Sequence, residues 1–220
     1  MVDKQDRIIG FDPDVAFLMA KELKVEPKFV VLPTAADRIP ALLDNKCDIV
    51  ISGLTINDER RQKIDFSNGY IAVGQTVLLR KGLADKIKSY KDLNDAKYKV
   101  VSVAGTSCEA AVKQYIATAS YTPFKDRTEG VTAVLEGKAD AFIYDSPYNA
   151  VMFGKYGSDK IAFLDDPFTV EYLGWGIRKD NPEFVDWLNT FLKKITSDGT
   201  KYKLYQKWFK NIDWLKDIKQ

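Results

Sequence analysis

Histidine is absent from this 220-residue sequence. That excludes Ser-His-Asp triads, Cys-His dyads, His-ligated zinc and imidazole proton shuttles. Cysteine is nearly absent: Cys47 and Cys108 are too few for a disulfide framework or a four-cysteine metal site, and no disulfide between them is expected. No run of 18 apolar residues occurs, so no segment reads as a membrane span. Charge of one sign is missing too. The 33 Lys and Arg offset 31 Asp and Glu, which leaves +2 and gives no electrostatic reason to expect nucleic acid as a partner. The first seven residues, Met1 to Arg7, are polar and lack the apolar core of a secretory signal. Taken literally that reads as cytoplasmic, and a mature exported chain reads the same way.

What is present is an ordinary globular composition, 45% hydrophobic and 29% charged, in a length that fits one large domain or two lobes. Asp12 followed by Pro13 reads as a helix start, with Val15, Leu18, Met19 and Leu23 at helical spacing. Lys28–Leu32, Asp48–Ser52, Thr76–Leu79, Tyr98–Val103, Ala141–Tyr144 and Trp175–Arg178 read as strands. Asp37 is positioned to cap a helix through Leu43. Further helices are expected over 108–117, 128–136, 147–155, 182–196 and 201–210. Strands alternate with helices, which predicts an α/β fold with mostly parallel sheets. The terminal stretch from Lys201 reads as a docked amphipathic helix, with Tyr205, Trp208 and Phe209 allowing a membrane-surface alternative.

One internal repeat stands out. Residues 41–52 (ALLDNKCDIVIS) match 133–144 (AVLEGKADAFIY): a helix end, Asn45 or Gly137 at the left-handed position, Lys, a small residue, Asp, then an apolar strand. Two lobes of similar topology would produce this. Ligands of open α/β sheets sit beyond the carboxyl ends of strands, here Ser52-Gly53 and Tyr144-Asp145, and clefts between domains are favoured sites. Each candidate also has a plainer explanation. Arg60 offers a planar fork for a carboxylate, or is a solvated charge on a helical turn. Thr106 and Ser107 open a helix whose N–H groups suit an anion, or merely cap it. Asp145 faces an amine, or caps the helix from Ser146.

Taken in order, several stretches carry a resemblance: Gly10-Phe11-Asp12-Pro13-Asp14-Val15, Arg38 to Leu43, Ser52 to Arg60, Ile64 to Tyr70, Gly105-Thr106-Ser107, Ala139-Asp140-Ala141 with Asp145, and Gly199-Thr200 through Tyr205 to Phe209. The set resembles the solute-binding proteins of polar amino-acid ABC transporters, with the two-lobed type II periplasmic-binding fold. The resemblance implies that Arg60 holds a ligand α-carboxylate with Ser52, Gly53 and Thr55. Thr106 and Ser107 add contacts from the second lobe, and Asp145 takes the α-amino group. Tyr70 is counted with the ligand residues at the first crossing. Lobe 1 is expected to span residues 1–72 plus 174–220 and lobe 2 residues 75–171, with hinges near 70–75 and 171–174.

The resemblance further implies a monomeric, non-catalytic receptor that closes about its hinge on a free amino acid and docks on an ABC permease. Such a receptor is periplasmic or lipid-anchored outside the cell and needs no metal or cofactor. The strand and proline- and aromatic-rich loop that members carry before the stretch matching Val2-Asp3-Lys4 have no counterpart in this sequence, so strand exchange between chains is an accompanying expectation. Where relatives that bind cationic amino acids often have an aromatic residue, this chain has Ala35. Its stretch Pro33–Pro40, with Arg38 for a second carboxylate, is more similar to relatives that bind acidic amino acids, so an acidic or polar amino acid is the expected ligand. Two other functions fit the same resemblance: a dehydratase acting on arogenate or prephenate, for which Asp145 is the one candidate acid or base, and the ligand-binding domain of a sensory receptor.

Overall fold

The computed structural model describes residues 1–219. In chain order the elements are α1 (Phe11–Leu23), α2 (Arg38–Leu43), β1 (Ile49–Thr55), α3 (Asp58–Arg61), β2 (Asp65–Phe66), β3 (Ile71–Val73), β4 (Gln75–Arg80), β5 (Lys99–Val103), α4 (Ser107–Tyr115), β6 (Ser120–Phe124), α5 (Arg127–Leu135), β7 (Ala141–Asp145), α6 (Ser146–Tyr156), β8 (Ile161–Leu164), β9 (Glu171–Ile177), α7 (Pro182–Ser197) and α8 (Thr200–Tyr205). The chain divides into two compact units. Unit 1 is Met1–Leu32, Arg38–Ile71 and Tyr172–Gln220, and unit 2 is Pro33–Asp37 and Ala72–Glu171.

Unit 1 is built on β9. Strands β1 and β2 both pair with it, antiparallel, and β3 joins them on the same strand. Sequence Gly174-Trp175-Gly176 makes the two faces of β9 unlike. At Gly174 and Gly176 the strand has no side chain, so Leu54, Ile56, Ile64 and Phe66 close directly onto its backbone there; a Cβ on Gly174 would stand 2.7 Å from Ile56, and one on Gly176 would stand 2.9 Å from Ile64. That cluster, with Leu42 and Val50, is one core of the unit. On the opposite face Trp175 is fully buried. Its indole lies 5.2 Å from the Tyr70 ring and 6.0 Å from Phe191 of α7, and Phe11 of α1 stacks on Tyr70 from the other side. Phe209 packs on Phe11, and the Trp208 indole N–H donates to Asp14 at 2.8 Å. The terminal aromatics are therefore docked on α1, and the membrane-surface reading of this stretch is set aside.

Unit 2 is a five-stranded sheet in the order β6-β5-β7-β4-β8. Parallel pairing is confined to β5 and its two neighbours, while β4 runs antiparallel to both β7 and β8. The expectation of mostly parallel sheets thus holds in part of one unit. The chain enters unit 2 on β4, opposite in direction to the strands that follow. Its core joins Val77, Leu79, Val100, Val112, Ala141 and Ile143. Gly130 of α5 lies against the Phe142 ring so closely that no Cβ fits.

The repeat is a repeated joint. Asn45 and Gly137 both take a left-handed backbone, at φ 58° and 70°. In each copy the N–H of the following lysine returns to the helix, Lys46 to Ala41 at 2.9 Å and Lys138 to Ala133 at 2.8 Å. Asp48 and Asp140 then each receive an arginine, Arg178 at 3.3 Å and Arg80 at 2.9 Å.

Three local expectations differ from the structure. Helix α1 starts at Phe11 with Gly10 at its N-cap, where φ is 143°, so Asp12 lies inside the first turn and its carboxylate is used elsewhere. The Asp37 carboxylate turns back onto the Thr34 N–H and hydroxyl instead of capping α2. Lys28–Leu32 is extended but is not a strand. A strand exists only by virtue of a neighbour, and among the described residues no backbone group of Glu26–Leu32 has a hydrogen-bond partner. Apolar side chains stay out with it, Val31 being 76% and Val25 58% exposed. The amides of Lys28–Leu32 are expected to exchange with solvent deuterium almost as fast as an unfolded peptide, while those of β7 are protected to near global unfolding. Mass-spectrometric exchange measures both, and equal protection of the two segments would contradict the unpaired arrangement.

Candidate functional site

In unit 1 the candidates gather where β1 is irregular. Register against β9 shifts between Val50 and Leu54, a bulge that re-aims the backbone. Gly53 carries it at φ 54°, and a Cβ there would meet nothing within 4 Å. The Gly53 N–H donates to Asp12 Oδ2 at 3.0 Å, and its carbonyl accepts from Arg38 Nη1 at 3.5 Å. Ser52 is exposed on the same bulge, and Thr55, at its end, is buried. Asn57 then caps α3, accepting from the Arg60 N–H at 2.9 Å. This turn brings the Arg60 guanidinium back to donate from Nη1 to the Thr55 carbonyl at 2.8 Å. One edge of the fork is fixed by the chain's own backbone, so the plane of the guanidinium is set. Ser52, Gly53, Thr55, Arg60 and Arg38 are thus together in unit 1.

Tyr70 is not exposed beside them. It is buried in the aromatic column, with its hydroxyl donating to Asp12 Oδ1 at 2.9 Å. Burial pushes the phenol well above its ordinary range, and the Asp12 charge pushes it further. Tyr70 and Asp12 together hold the Gly53 amide from behind, and this corrects the placement of Tyr70 among ligand contacts.

In unit 2, β5 ends in Ala104-Gly105 and α4 begins. Thr106 is the N-cap: its hydroxyl donates to the Val103 carbonyl at 2.6 Å and accepts from the Glu109 N–H at 3.5 Å. Gly105, at φ 71°, passes so near Ala36 that a Cβ would stand 2.9 Å from the alanine's. Ser107 follows in the first turn, half-buried. The Glu109 carboxylate folds back onto the Gly105 N–H at 2.7 Å. Burial pushes that carboxyl up, but the Lys113 ammonium and the Gly105 N–H outweigh it and hold it below the ordinary carboxylate range. The capping explanation therefore accounts for Thr106.

Asp145 ends β7, directly opposite Gln75 of β4. It stands at the N-cap position of α6, yet its side chain makes no cap hydrogen bond there. Instead Oδ1 accepts from Gln75 Nε2 at 2.9 Å, and the Cys108 thiol lies 3.9 Å away. Burial pushes the Cys108 thiol well above its ordinary range and the Asp145 charge adds to that, so Cys108 is an unreactive packed thiol. Both cysteines are free. The same Gln75 nitrogen donates to Glu171 Oε1 at 2.9 Å, and the Thr169 hydroxyl supports that oxygen at 2.9 Å. Gln75 and Glu171 carried no local signal. They meet across 96 residues of chain, and only the return of β9 to the start of β4 brings them together. Among the described residues no cluster of His, Cys, Asp or Glu is arranged to hold a metal, and no helix is long and apolar enough to cross a membrane.

These two candidate groups, a backbone-fixed guanidinium beside a glycine bulge and a carboxylate at a strand end, belong to an α/β chain of two units whose matches agree on a class. The model of the bacterial extracellular solute-binding proteins, family 3, matches residues 1–211. The chain is 33% identical over 206 residues to the ABC transporter glutamine-binding protein GlnH of Bacillus subtilis (strain 168), covering 92% of this chain and 73% of that protein. Among solved structures it is similar to a binding component of an ABC transporter from Wolinella succinogenes DSM 1740, complexed with lysine. That match has 41% identity and a TM-score of 0.94, and covers 99% of this chain and 93% of the other. It is also similar to the ancestral amino acid-binding protein AncCDT-1, described as a precursor of cyclohexadienyl dehydratase, at 44% identity and a TM-score of 0.89, over 95% of this chain and 89% of that one. The protein is a member of the family 3 bacterial extracellular solute-binding proteins. The relatives found are binding proteins rather than enzymes, the dehydratase precursor included.

Proposed function

We propose that this protein is a non-catalytic receptor for a free α-amino acid, which it holds outside the cytoplasm and delivers to an ABC permease. Arg60 takes the ligand α-carboxylate with its guanidinium, helped by Ser52, the Gly53 bulge and Thr55. Asp145 takes the α-ammonium and Ser107 contributes a hydroxyl, while Thr106 keeps its own as the cap that holds the start of α4. Unit 1 thus carries the complement of one end of a zwitterion and unit 2 the complement of the other. The observation that carries this reading is the pairing of opposite charges: each is fixed by a neutral partner, Arg60 by the Thr55 carbonyl and Asp145 by the Gln75 amide. An amino acid presents the complement of each. The relatives with amino acids in their names or titles, glutamine for GlnH and lysine for the Wolinella protein, support the same class.

The receptor acts as a monomer in this reading. The unpaired backbone of Glu26–Leu32 is where a strand from a second chain would add if one does. No step of catalysis is assigned to Asp145, since a carboxylate that binds an ammonium needs no proton transfer. Thermal denaturation against each of the twenty amino acids tests the proposal. A ligand present at about a thousand times its dissociation constant adds about 4 kcal/mol, so a small group of amino acids is expected to raise the melting temperature by several degrees. No shift with any amino acid, together with turnover of arogenate or prephenate, would replace the receptor reading with the enzymatic one.

A further inference from the structure

Gly53 lies at a point of β1 that the sheet does not hold. Val50 pairs with Gly176 and Leu54 with Gly174, so Ile51, Ser52 and Gly53 stand against the single residue Trp175. The extra residues of a bulge have no ladder partners. Glycine also has the widest backbone freedom of any residue. Gly53 is at φ 54° with nothing within 4 Å of its Cβ position, so no packing there keeps it in that conformation. Charged side chains hold its peptide groups instead. The Gly53 N–H donates to Asp12 Oδ2 at 3.0 Å, and its carbonyl accepts from Arg38 at 3.5 Å. Hydrogen bonds to a carboxylate are stronger than those between neutral groups. Asp12 is anchored in turn. Its Oδ1 accepts from the Tyr70 hydroxyl at 2.9 Å, and the Tyr70 ring is locked between Phe11 and Trp175. One carboxylate thus ties α1 to a glycine 41 residues on and a tyrosine 58 residues on. Two residues beyond Gly53, the Thr55 carbonyl accepts from Arg60 Nη1 at 2.8 Å. The stretch of backbone that Asp12 pins is the stretch that sets the guanidinium.

We infer that Asp12 is a positioning residue for recognition of the ligand α-carboxylate, acting through the Gly53 bulge on Ser52, Thr55 and Arg60. This deepens the amino-acid reading and rests on it. Both Asp12 oxygens are engaged inside the protein, so its part is to hold the backbone rather than to meet the ligand. Without that carboxylate the glycine samples other conformations, and the ligand has to order the bulge as it binds. Preorganisation removes that cost. The cost falls on the carboxylate end of the ligand, because Asp145 belongs to unit 2 and is fixed by Gln75.

The test is calorimetric titration of the wild type, Asp12→Ala, Asp12→Asn and Tyr70→Phe. Each of the twenty amino acids is titrated into the wild type, and the tightest binder is carried forward with its own α-carboxamide. The carboxamide keeps the ammonium and the side chain and lacks the carboxylate charge. The wild type is expected to prefer the acid by about a hundredfold or more. In Asp12→Ala the acid is expected to weaken about tenfold, the worth of about one hydrogen bond to a charged group, and the carboxamide less than about threefold. Asp12→Asn keeps an acceptor for the Gly53 N–H and is expected to recover most of the loss. Equal weakening of acid and carboxamide would make Asp12 a brace of the fold and overturn the inference. So would an unchanged preference in Asp12→Ala, or an asparagine variant no better than the alanine. Should Asp12→Ala fail to fold, Tyr70→Phe decides. It keeps the ring, frees Asp12 from its anchor, and is expected to lower the preference for the acid about threefold; no change would overturn the inference. A wild type that binds an amino acid and its carboxamide alike overturns the inference and leaves the protein an amino-acid receptor. One that binds none of the twenty overturns both.

Discussion

Replacing Arg60 by alanine is expected to weaken amino-acid binding by about a hundredfold or more while leaving the fold in place. Removing one member of a hydrogen-bonded charge pair costs about 2–5 kcal/mol, and each 1.4 kcal/mol or so is a factor of ten in affinity. The structural loss is smaller. The variant gives up the 2.8 Å bond from Nη1 to the Thr55 carbonyl, worth about 1 kcal/mol, and α3 keeps its Asn57 cap, which uses the backbone. Arg60→Lys separates charge from geometry. A lysine keeps the charge but lacks the planar fork suited to bidentate carboxylate binding, so it is expected to recover only part of the loss. Calorimetric titration measures both variants. Unchanged affinity in Arg60→Ala would remove the guanidinium from the site.

Replacing Trp175 by alanine is expected to cost about 3–5 kcal/mol of stability, the range for truncating a buried large aromatic. That is a large share of the roughly 5–15 kcal/mol typical of a folded protein. The loss is large because Trp175 is the middle of a column. Tyr70 and Phe191 rest on its two sides, and Phe11 and Phe209 continue the stack. The glycines on either side of it supply no side chain to fill the space. Trp175→Phe is expected to lose far less, under about 1.5 kcal/mol, because it keeps a ring between Tyr70 and Phe191 and removes a buried indole N–H that has no acceptor. Urea denaturation followed by circular dichroism gives both values. Similar losses in the two variants would mean that the full indole, rather than any ring between Tyr70 and Phe191, is needed to fill the position.

Much of the fold is legible in local pattern because much of it is set locally. The joint at Asn45 and its copy at Gly137 are read from residue type, since few residues accept a left-handed backbone, and both adopt one. The helices at Ser107, Arg127, Ser146 and Pro182 begin within a residue of where caps and apolar spacing put them. What is not legible depends on partners distant in sequence. Lys28–Leu32 has the composition of a strand and lacks a neighbour to make it one. β6 contains Pro123, which weakens its signal, and it forms at an edge where the missing N–H is tolerated. The antiparallel direction of β4 has no signature in its own residues.

The candidate site divides in the same way. Arg60, Gly53 and Asp145 lie at turns and strand ends, where sequence says most, and the structure gives each a fixing partner. Tyr70 carried the same outward signal, a tyrosine at a crossing, but its hydroxyl is spent on Asp12. Gln75, whose amide nitrogen holds both Asp145 and Glu171, and Glu171 itself are ordinary strand residues until the chain returns.

Calorimetric titration of one bound amino acid against its own methyl ester and its N-acetyl derivative tests the central claim most directly. The ester removes the charge proposed to meet Arg60 and the acetyl group removes the charge proposed to meet Asp145, with the side chain unchanged. The account predicts one molecule of the free amino acid bound per chain, and binding of both derivatives weakened by about a hundredfold or more. Either derivative binding as tightly as the parent would contradict it, and would show which half of the zwitterion the protein does not read.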